Sequence, residues 1–126
     1  MAHHSFEHTT HHGSGSGVAT LSELVGRSEP RPGRPSAATV VEEDGVKVVA
    51  FEFHEGDELH EHAAPHPALI QVVRGSVDFQ LPEGPVQLRP GQVLHLTEGL
   101  LHAVKALEPT TLSVTCLLYT SPSPRD

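Results

Sequence analysis

The sequence has few of the residues that mark several common classes of protein. Its 126 residues include one cysteine, one tyrosine, four phenylalanines and no tryptophan. A single cysteine excludes an internal disulfide framework, and so few aromatic rings leave little surface for stacking the bases of single-stranded nucleic acid. The chain has eight Lys and Arg residues and sixteen Asp and Glu residues, which give it a net charge of −8. We therefore expect no nucleic-acid partner, because such a partner would present a phosphate backbone.

Long apolar runs are also absent from the sequence. A membrane-spanning helix needs about 20 consecutive apolar residues, and no stretch of this chain approaches that length. We therefore expect no membrane partner and, since no secretion signal is visible, a cytoplasmic location. The length allows one domain.

Both ends of the chain look unlike the middle. Residues 1–17 hold five of the eleven histidines and end in a Gly-Ser run. They resemble an expression tag with a flexible linker, the alternative being a natural disordered segment. Residues 116–126, CLLYTSPSPRD, resemble a translated sequencing adaptor, which would give the gene a metagenomic origin. The apolar start of this stretch can nevertheless complete a last strand, which leaves 119–126 as a disordered tail.

Between these ends the pattern predicts a short helix, an arm and an all-β domain. Apolar spacing over Val18–Val25 is helical, and the Pro-rich stretch that follows completes an N-terminal segment, residues 18–37. From residue 38 to 118, turn signals recur every 8–12 residues, which is typical of a β-sandwich or small barrel. The predicted strands are 38–43, 46–54, 58–62, 69–73, 76–81, 86–88, 93–97, 102–106 and 111–118. Asp44-Gly45 is a strong signal for a two-residue hairpin turn.

The histidines of this domain suggest a metal site. His60 and His62 are two residues apart, so on a regular strand they share a face. His66 follows across a bend with two prolines, and His102 begins a predicted strand. Neutral imidazole is a good ligand for divalent transition metals such as Zn, Cu, Fe, Ni or Mn. We predict that His60, His62, His66 and His102 bind one such ion.

These residues resemble the two motifs of the cupin superfamily. His60-Glu61-His62 and Gly75 match the first motif, but Ala68 stands where its carboxylate ligand belongs. Gly91, Gly99 and His102 keep the glycine and histidine spacing of the second motif, whereas Thr97 and Ala106 replace its Pro and Asn. The resemblance covers roughly residues 38–118 and points to small single-domain bacterial cupins.

The resemblance implies a jelly-roll, or double-stranded β-helix, barrel and a homodimer whose N-terminal arm, residues 28–41, crosses to the partner. The spacing of His60, His62 and His66 is also similar to that of four-histidine manganese cupins. In those proteins six residues separate the third histidine from the motif glycine, and here eight separate His66 from Gly75. His66 is therefore either a ligand or a residue at the pocket mouth.

Two further polar residues are candidates for contact with a bound small molecule or with a metal-binding histidine. Gln71 interrupts the apolar run Leu69–Val73, and His95 lies between Leu94 and Leu96. Each has an alternative position on an outer, solvated face. Catalytic residues cannot be assigned by these patterns, and Cys116 carries no functional argument.

Three functions fit this pattern. The first is a metal-dependent enzyme, most plausibly a dioxygenase or else a lyase or isomerase, acting on a small, mostly apolar molecule. The second is a non-catalytic cupin that binds or senses a small ligand. The third is a structural role in which the barrel serves as a dimerisation scaffold.

Overall fold

The described part of the chain is folded entirely from β-strands. The structure is a computed structural model and describes residues 16–118. The nine strands of this stretch are β1 (Ser36–Glu43), β2 (Val46–Phe53), β3 (Glu58–Ala63), β4 (Ala68–Arg74), β5 (Val77–Leu81), β6 (Gly84–Leu88), β7 (Val93–Leu96), β8 (Leu101–Ala106) and β9 (Thr110–Leu117). The all-β prediction is confirmed, and each predicted strand is present with its ends shifted by a residue or two. Residues 16–118 contain no helix able to cross a bilayer.

Most of the predictions about the two ends concern residues outside this range. The tag-like segment 1–17 lies there except for Ser16 and Gly17, and the tail 119–126 lies there entirely. Both therefore stay predictions. The start of the adaptor-like stretch is described, and Cys116 and Leu117 do complete the last strand.

The strands form two antiparallel sheets that face each other. One sheet has five strands in the order β1-β2-β9-β4-β7, and the other has four in the order β3-β8-β5-β6. Successive strands such as β3 and β4 lie in different sheets, so the chain passes repeatedly from one to the other. This is a jelly-roll sandwich, and its two inner faces enclose the core.

The turn between β1 and β2 has the predicted form. Asp44 and Gly45 both adopt positive φ, 55° and 78°. Two successive positive φ values produce the tight turn whose twist matches that of a two-stranded ribbon, and Asp-Gly is one of the pairs that favour it.

Alternating apolar side chains from both sheets build the core. On β4 the side chains of Ala68, Ile70 and Val72 are buried, whereas Leu69 and the other intervening residues are exposed. The largest fully buried side chains include Phe79, Leu96 and Leu112. Since each strand contributes every second residue, the sheets keep one apolar and one more solvated face.

The prediction of a short helix over Val18–Val25 is wrong. Residues 18–24 have no regular structure, and a turn begins at Val25. The side chains of Val18 and Leu21 are 90% and 92% exposed, so no apolar face is buried. An eight-residue helix without tertiary packing is too short to be stable in water, because nucleating it costs more than its few hydrogen bonds return.

The N-terminal segment, residues 18–37, is instead held against the barrel by a buried carboxylate. The Gly26 N–H donates to Glu52 Oε2 over 2.8 Å, and the Thr111 hydroxyl donates to the same carboxylate, 2.8 Å from each oxygen. The Arg74 guanidinium lies 3.5 Å from Glu52 Oε1. Glu52 is only 5% exposed, so these partners satisfy a charge that would otherwise be costly to bury.

Candidate functional site

A small cavity between the two sheets is lined by three of the four histidines that were predicted to bind a metal. Its volume is about 90 Å³, and its walls are mainly apolar. Three histidines, His62, His66 and His102, line it together with one thiol, Cys116. No Asp, Glu, Lys or Arg of the described residues lines this cavity. The other lining residues are Phe51, Leu59, Ala64, Pro65, Ala68, Ile70, Phe79, Leu96, Val104, Leu112 and Val114.

A β-bulge in β3 determines which histidine of the His60–His62 pair faces this cavity. Leu59 pairs with Val104 and His62 pairs with His102, so three steps along β3 match two steps along β8. The extra residue breaks the alternation, as a bulge does. Leu59 and His62 therefore point inward, and His60 is exposed and does not line the cavity. The prediction that His60 and His62 share a face fails for this reason.

His62 and His102 are direct neighbours across the two strands. Their ring centroids are 4.4 Å apart and their planes are tilted by 57°. On its other side the His102 ring stacks on Phe79, with centroids 6.1 Å apart and planes 23° apart. His102 is 6% exposed, whereas His62 is exposed and lies where the cavity opens.

Both rings make the same hydrogen bond to the backbone. His62 Nδ1 lies 2.8 Å from the carbonyl oxygen of His60, and His102 Nδ1 lies 3.0 Å from that of Leu100. A carbonyl only accepts, so each Nδ1 carries the proton and each neutral ring keeps the lone pair on Nε2. The two rings are thus held in the tautomer that leaves Nε2 free to bind a metal or accept a hydrogen bond.

Burial keeps the inner ring neutral. Burial lowers the pKa of His102 below its ordinary value; the hydrogen bond to Leu100 opposes this, and the neighbouring His62 lowers the pKa slightly further. Metal binding requires the neutral form, so a lowered pKa leaves His102 available as a donor at neutral pH. Burial has the opposite effect on Cys116, whose thiol pKa is raised despite the nearby Lys47, so the thiol stays protonated.

The described residues do not bring three metal-binding side chains together. Within residues 16–118 no group of three His, Cys, Asp or Glu is close enough to hold one ion. His66 lines the cavity from the segment between β3 and β4, half-buried, but is not grouped with the other two rings. The donor set that converges is therefore the pair His62 and His102.

Gln71 and His95 lie outside the cavity. Gln71 shares the exposed face of β4 with Leu69, because Ala68, Ile70 and Val72 occupy the inner positions. His95 is exposed on β7, where it pairs with Leu69. Strand alternation thus directs both polar side chains to the outer face of the five-stranded sheet, away from a molecule in the cavity.

Sequence reasoning gave no role to two residues that the structure places beside the histidines. Phe79 stacks on His102, and Cys116 lines the cavity from β9. The alternation of Leu112, Val114 and Cys116 could have found the thiol, because residues two apart on a strand share a face. Cys116 begins the adaptor-like stretch, and a stretch of that kind gives no reason to assign a function to its residues.

Comparison with solved structures identifies the fold. An RmlC-like cupin protein from Desulfovibrio desulfuricans superposes with a TM-score of 0.70 at 23% identity, covering 79% of this chain and 97% of that one. The chain has the cupin fold. An uncharacterised protein with a double-stranded β-helix domain from Klebsiella pneumoniae matches with a TM-score of 0.69 at 22% identity, over 82% of this chain and 95% of that one.

A third structural neighbour is a named protein. KdgF from a Halomonas species has a TM-score of 0.65 at 21% identity and covers 75% of this chain and 86% of that one. No protein-family model matches the sequence, and no curated protein matches it either. At these identities the likeness establishes the cupin fold, and a fold by itself does not assign a reaction.

Proposed function

We propose that this cupin-fold protein binds one divalent transition metal ion through Nε2 of His62 and His102, beside a cavity that holds a small, mostly apolar molecule. The observation that carries the proposal is the cross-strand imidazole pair, 4.4 Å between centroids, with both Nδ1 atoms already bonded to backbone carbonyls. Two neutral imidazoles fixed in this tautomer suit a metal of borderline softness.

The donor set also narrows the choice of ion. Imidazole suits Zn, Cu, Fe and Ni, whereas Mn prefers carboxylate, carbonyl and water oxygens. No carboxylate of the described residues lines the cavity. Among the five metals predicted from the sequence, the proposal therefore favours Zn, Cu, Fe or Ni over Mn. With two protein donors, the remaining coordination positions are left to water and the small molecule.

A bound ion would supply Lewis acidity and, if it is redox-active, the one-electron chemistry that a dioxygenase needs. The chain's own residues supply the rest. Phe79 supports the His102 ring, the backbone carbonyls fix both tautomers, and the apolar walls exclude water from the inner part of the cavity. Metal-dependent oxygenation of the molecule in the cavity is the enzymatic form of this proposal.

A specific observation favours the non-catalytic alternative as a second candidate. Apart from the imidazoles and a protonated thiol, no described side chain at the cavity can transfer a proton. With His62 and His102 as metal donors, His66 is the one imidazole of the described cavity wall that is left for proton transfer. So few groups suit a module that binds or senses a small ligand, because acid-base catalysis needs a positioned group of suitable pKa. Oxygen uptake in the presence of metal and a ligand that binds would distinguish the enzyme from the sensor.

Metal titration of the full chain tests the metal site. The background variant replaces the N-terminal histidines by Gln, so that they cannot capture the ion: His3, His4, His8, His11 and His12. We expect it to bind one Zn²⁺ or Ni²⁺ per chain. Adding His102→Gln should weaken binding by more than the roughly 10–100-fold that loss of an outer partner costs a metal site, because a donor itself is lost.

The matched control is His95→Gln in the same background. His95 is exposed on the outer face, so its loss should leave metal affinity unchanged. Absence of stoichiometric metal in the background variant, or equal affinity with and without His102, would refute the proposed site. Calorimetry gives both stoichiometry and affinity.

The expected homodimer and cytoplasmic location remain proposals. The outer face of the five-stranded sheet exposes several apolar side chains, among them Leu69, Val93 and Leu117 at 43%, 57% and 50%. Contiguous exposed apolar surface is a common mark of an interface. Sedimentation of the wild type and of Leu69→Glu would test whether this face holds two copies together.

A further inference from the structure

The segment between β3 and β4 borders the cavity at the end of the barrel where the imidazole pair lies. Its first residue is tied to the neighbouring loop, since Ala64 N–H donates to the Leu100 carbonyl over 3.1 Å and the Ala64 carbonyl accepts from Gly99 N–H over 2.6 Å. Its last residue is tied to β9, since the Pro67 carbonyl accepts from Leu117 N–H over 3.2 Å. The segment is thus fixed at both ends.

The two residues between these fixed points are Pro65 and His66, and both line the cavity. Pro65 is exposed and His66 half-buried, whereas Ala64 and Ala68 on either side are 4% and 6% exposed. The segment therefore passes from the interior to the surface and back. The His66 side chain makes no hydrogen bond to any other residue in the range 16–118. Its ring can thus change rotamer without breaking one, while the backbone around it stays in place.

Cys116 lies at the same end of the barrel, inside the cavity. It pairs with Ala68, which in turn pairs with Leu96, so the three residues form one row across the five-stranded sheet. All three line the cavity, as do His66 and the imidazole pair. Cys116 is the only cysteine of the chain, so a reagent specific for thiols labels the chain at this cavity alone.

The cavity is too small for most ligands. Its volume of about 90 Å³ is below that of an apolar cavity of about 150 Å³ that accommodates benzene in another protein. Scaled by the ratio of the two volumes, benzene's six non-hydrogen atoms become about four, so a molecule of up to about four non-hydrogen atoms fits and a larger one must displace part of the wall. Of the three imidazole rings in the wall, His62 and His102 are bonded to backbone carbonyls, whereas the His66 ring makes no hydrogen bond to residues 16–118.

We propose that His66, together with Pro65, is the entrance gate of the cavity and sets the size of molecule that reaches the His62–His102 pair. His66 then acts in selection rather than as a metal ligand. The inference deepens the proposed function, because it takes the imidazole pair as the destination. A small molecule of up to about four non-hydrogen atoms passes beside the ring, and a larger one enters only when the ring has rotated outward.

Labelling of Cys116 in the folded, metal-free full chain tests the gate. Iodomethane is well below this size limit, and Ellman's reagent is a bulky aromatic disulfide. The Cys116 thiolate attacks the carbon of iodomethane, so that a thioether forms and iodide leaves. With Ellman's reagent it attacks a sulfur, so that a mixed disulfide forms and the aromatic thiolate leaves. Rates followed by mass spectrometry are divided by those of the unfolded chain at the same pH. For the wild type we expect the bulky reagent to be retarded much more than the small one.

Replacing His66 by Ala should raise the rate with Ellman's reagent by up to about tenfold, the upper end of the cost of moving a side chain off its preferred rotamer, and should change the rate with the small reagent less. The control His95→Ala, on the outer face, should change neither rate. Equal retardation of both reagents in the wild type, or a size preference unchanged in His66→Ala, would overturn the gate.

Metal titration of the same variant separates this inference from the proposed function. With His62 and His102 as the donors, His66→Ala made in the background variant should bind metal like the background variant itself. Loss of metal affinity in His66→Ala would assign the ring to the ion and overturn its role as a gate. Loss of metal affinity in His62→Gln, with labelling of Cys116 still selective for size, would support both proposals.

Discussion

Replacing Gly75 by Ala should destabilise the fold more than the same change at any open turn. Gly75 connects β4 to β5 and has a φ of 96°. A Cβ built there overlaps the Thr110 hydroxyl and the Pro109 carbonyl oxygen. Gly91 is the matched control, because its φ is 93° and a Cβ there meets nothing within 4 Å.

The magnitude follows from what the two sites share and where they differ. Holding an L-residue at positive φ costs about 1–2 kcal/mol, and the loss of glycine's freedom in the unfolded chain gives a common opposing gain of about 0.4–1 kcal/mol. Both contributions cancel between Gly75→Ala and Gly91→Ala. The overlap remains, and the Thr110 hydroxyl cannot withdraw, since it is 1% exposed and bonded to the backbone of Ser76.

Displacing that hydroxyl leaves a buried polar group without its partner, which costs about 1–3 kcal/mol. We expect Gly75→Ala to lower the free energy of unfolding by that much more than Gly91→Ala does. Urea unfolding followed by circular dichroism measures both values. If the two variants lie within about 0.5 kcal/mol of each other, which is the usual scatter of a neutral substitution, the close approach at Gly75 carries no energy and the reasoning is wrong.

Three further predictions test the arm, the core and the inner histidine. Glu52→Ala should lower the free energy of unfolding by about 2–4 kcal/mol, because it leaves the Thr111 hydroxyl and the Gly26 N–H without their charged acceptor. It should also speed hydrogen exchange at Gly26. Glu61→Ala, at an exposed position, is the control in both measurements. Phe79→Ala should cost about 3–5 kcal/mol in urea unfolding and enlarge the cavity beside His102, whereas truncating exposed Leu101 should cost far less. Burial lowers the pKa of His102, so its imidazole is protonated first in the unfolded chain as the pH falls. The stability that the neutral His102 ring contributes is therefore complete above about pH 6.5 and is lost below that pH. The difference in unfolding free energy between the wild type and His102→Gln should therefore fall from pH 8 to pH 5 in metal-free protein, and a constant difference would contradict the lowered pKa.

The strands could be predicted because each one carries its own local signals. Apolar alternation and turn residues such as Asp44-Gly45 act within a few residues, and the structure follows them. The exceptions arise where pairing with a neighbouring strand determines the backbone conformation. Gly84 and Pro85 look like turn residues but begin β6. The missing N–H of Pro85 is tolerated there, since β6 is at the edge of its sheet.

The candidate site was less predictable for the same reason. His102 lies on a regular strand and faces inward as its alternation implies. The orientation of His60 depends on the pairing of β3 with β8, and an irregularity in pairing leaves no mark in a single sequence. The predicted helix does not form, because the helical spacing over Val18–Val25 does not indicate whether another part of the protein packs against its apolar face.

The extra residue in β3 has a chemical effect beyond its geometry. In an unbroken ladder the position opposite His102 would fall to Glu61 instead of His62, because Leu59 is opposite Val104 and the next inward place is two residues on. A slip by one residue along a rim strand would thus exchange a neutral donor for an anionic one without any substitution. If the imidazole pair holds an ion as proposed, gain or loss of a single residue in β3 would therefore change which ion this site prefers while both histidines are retained.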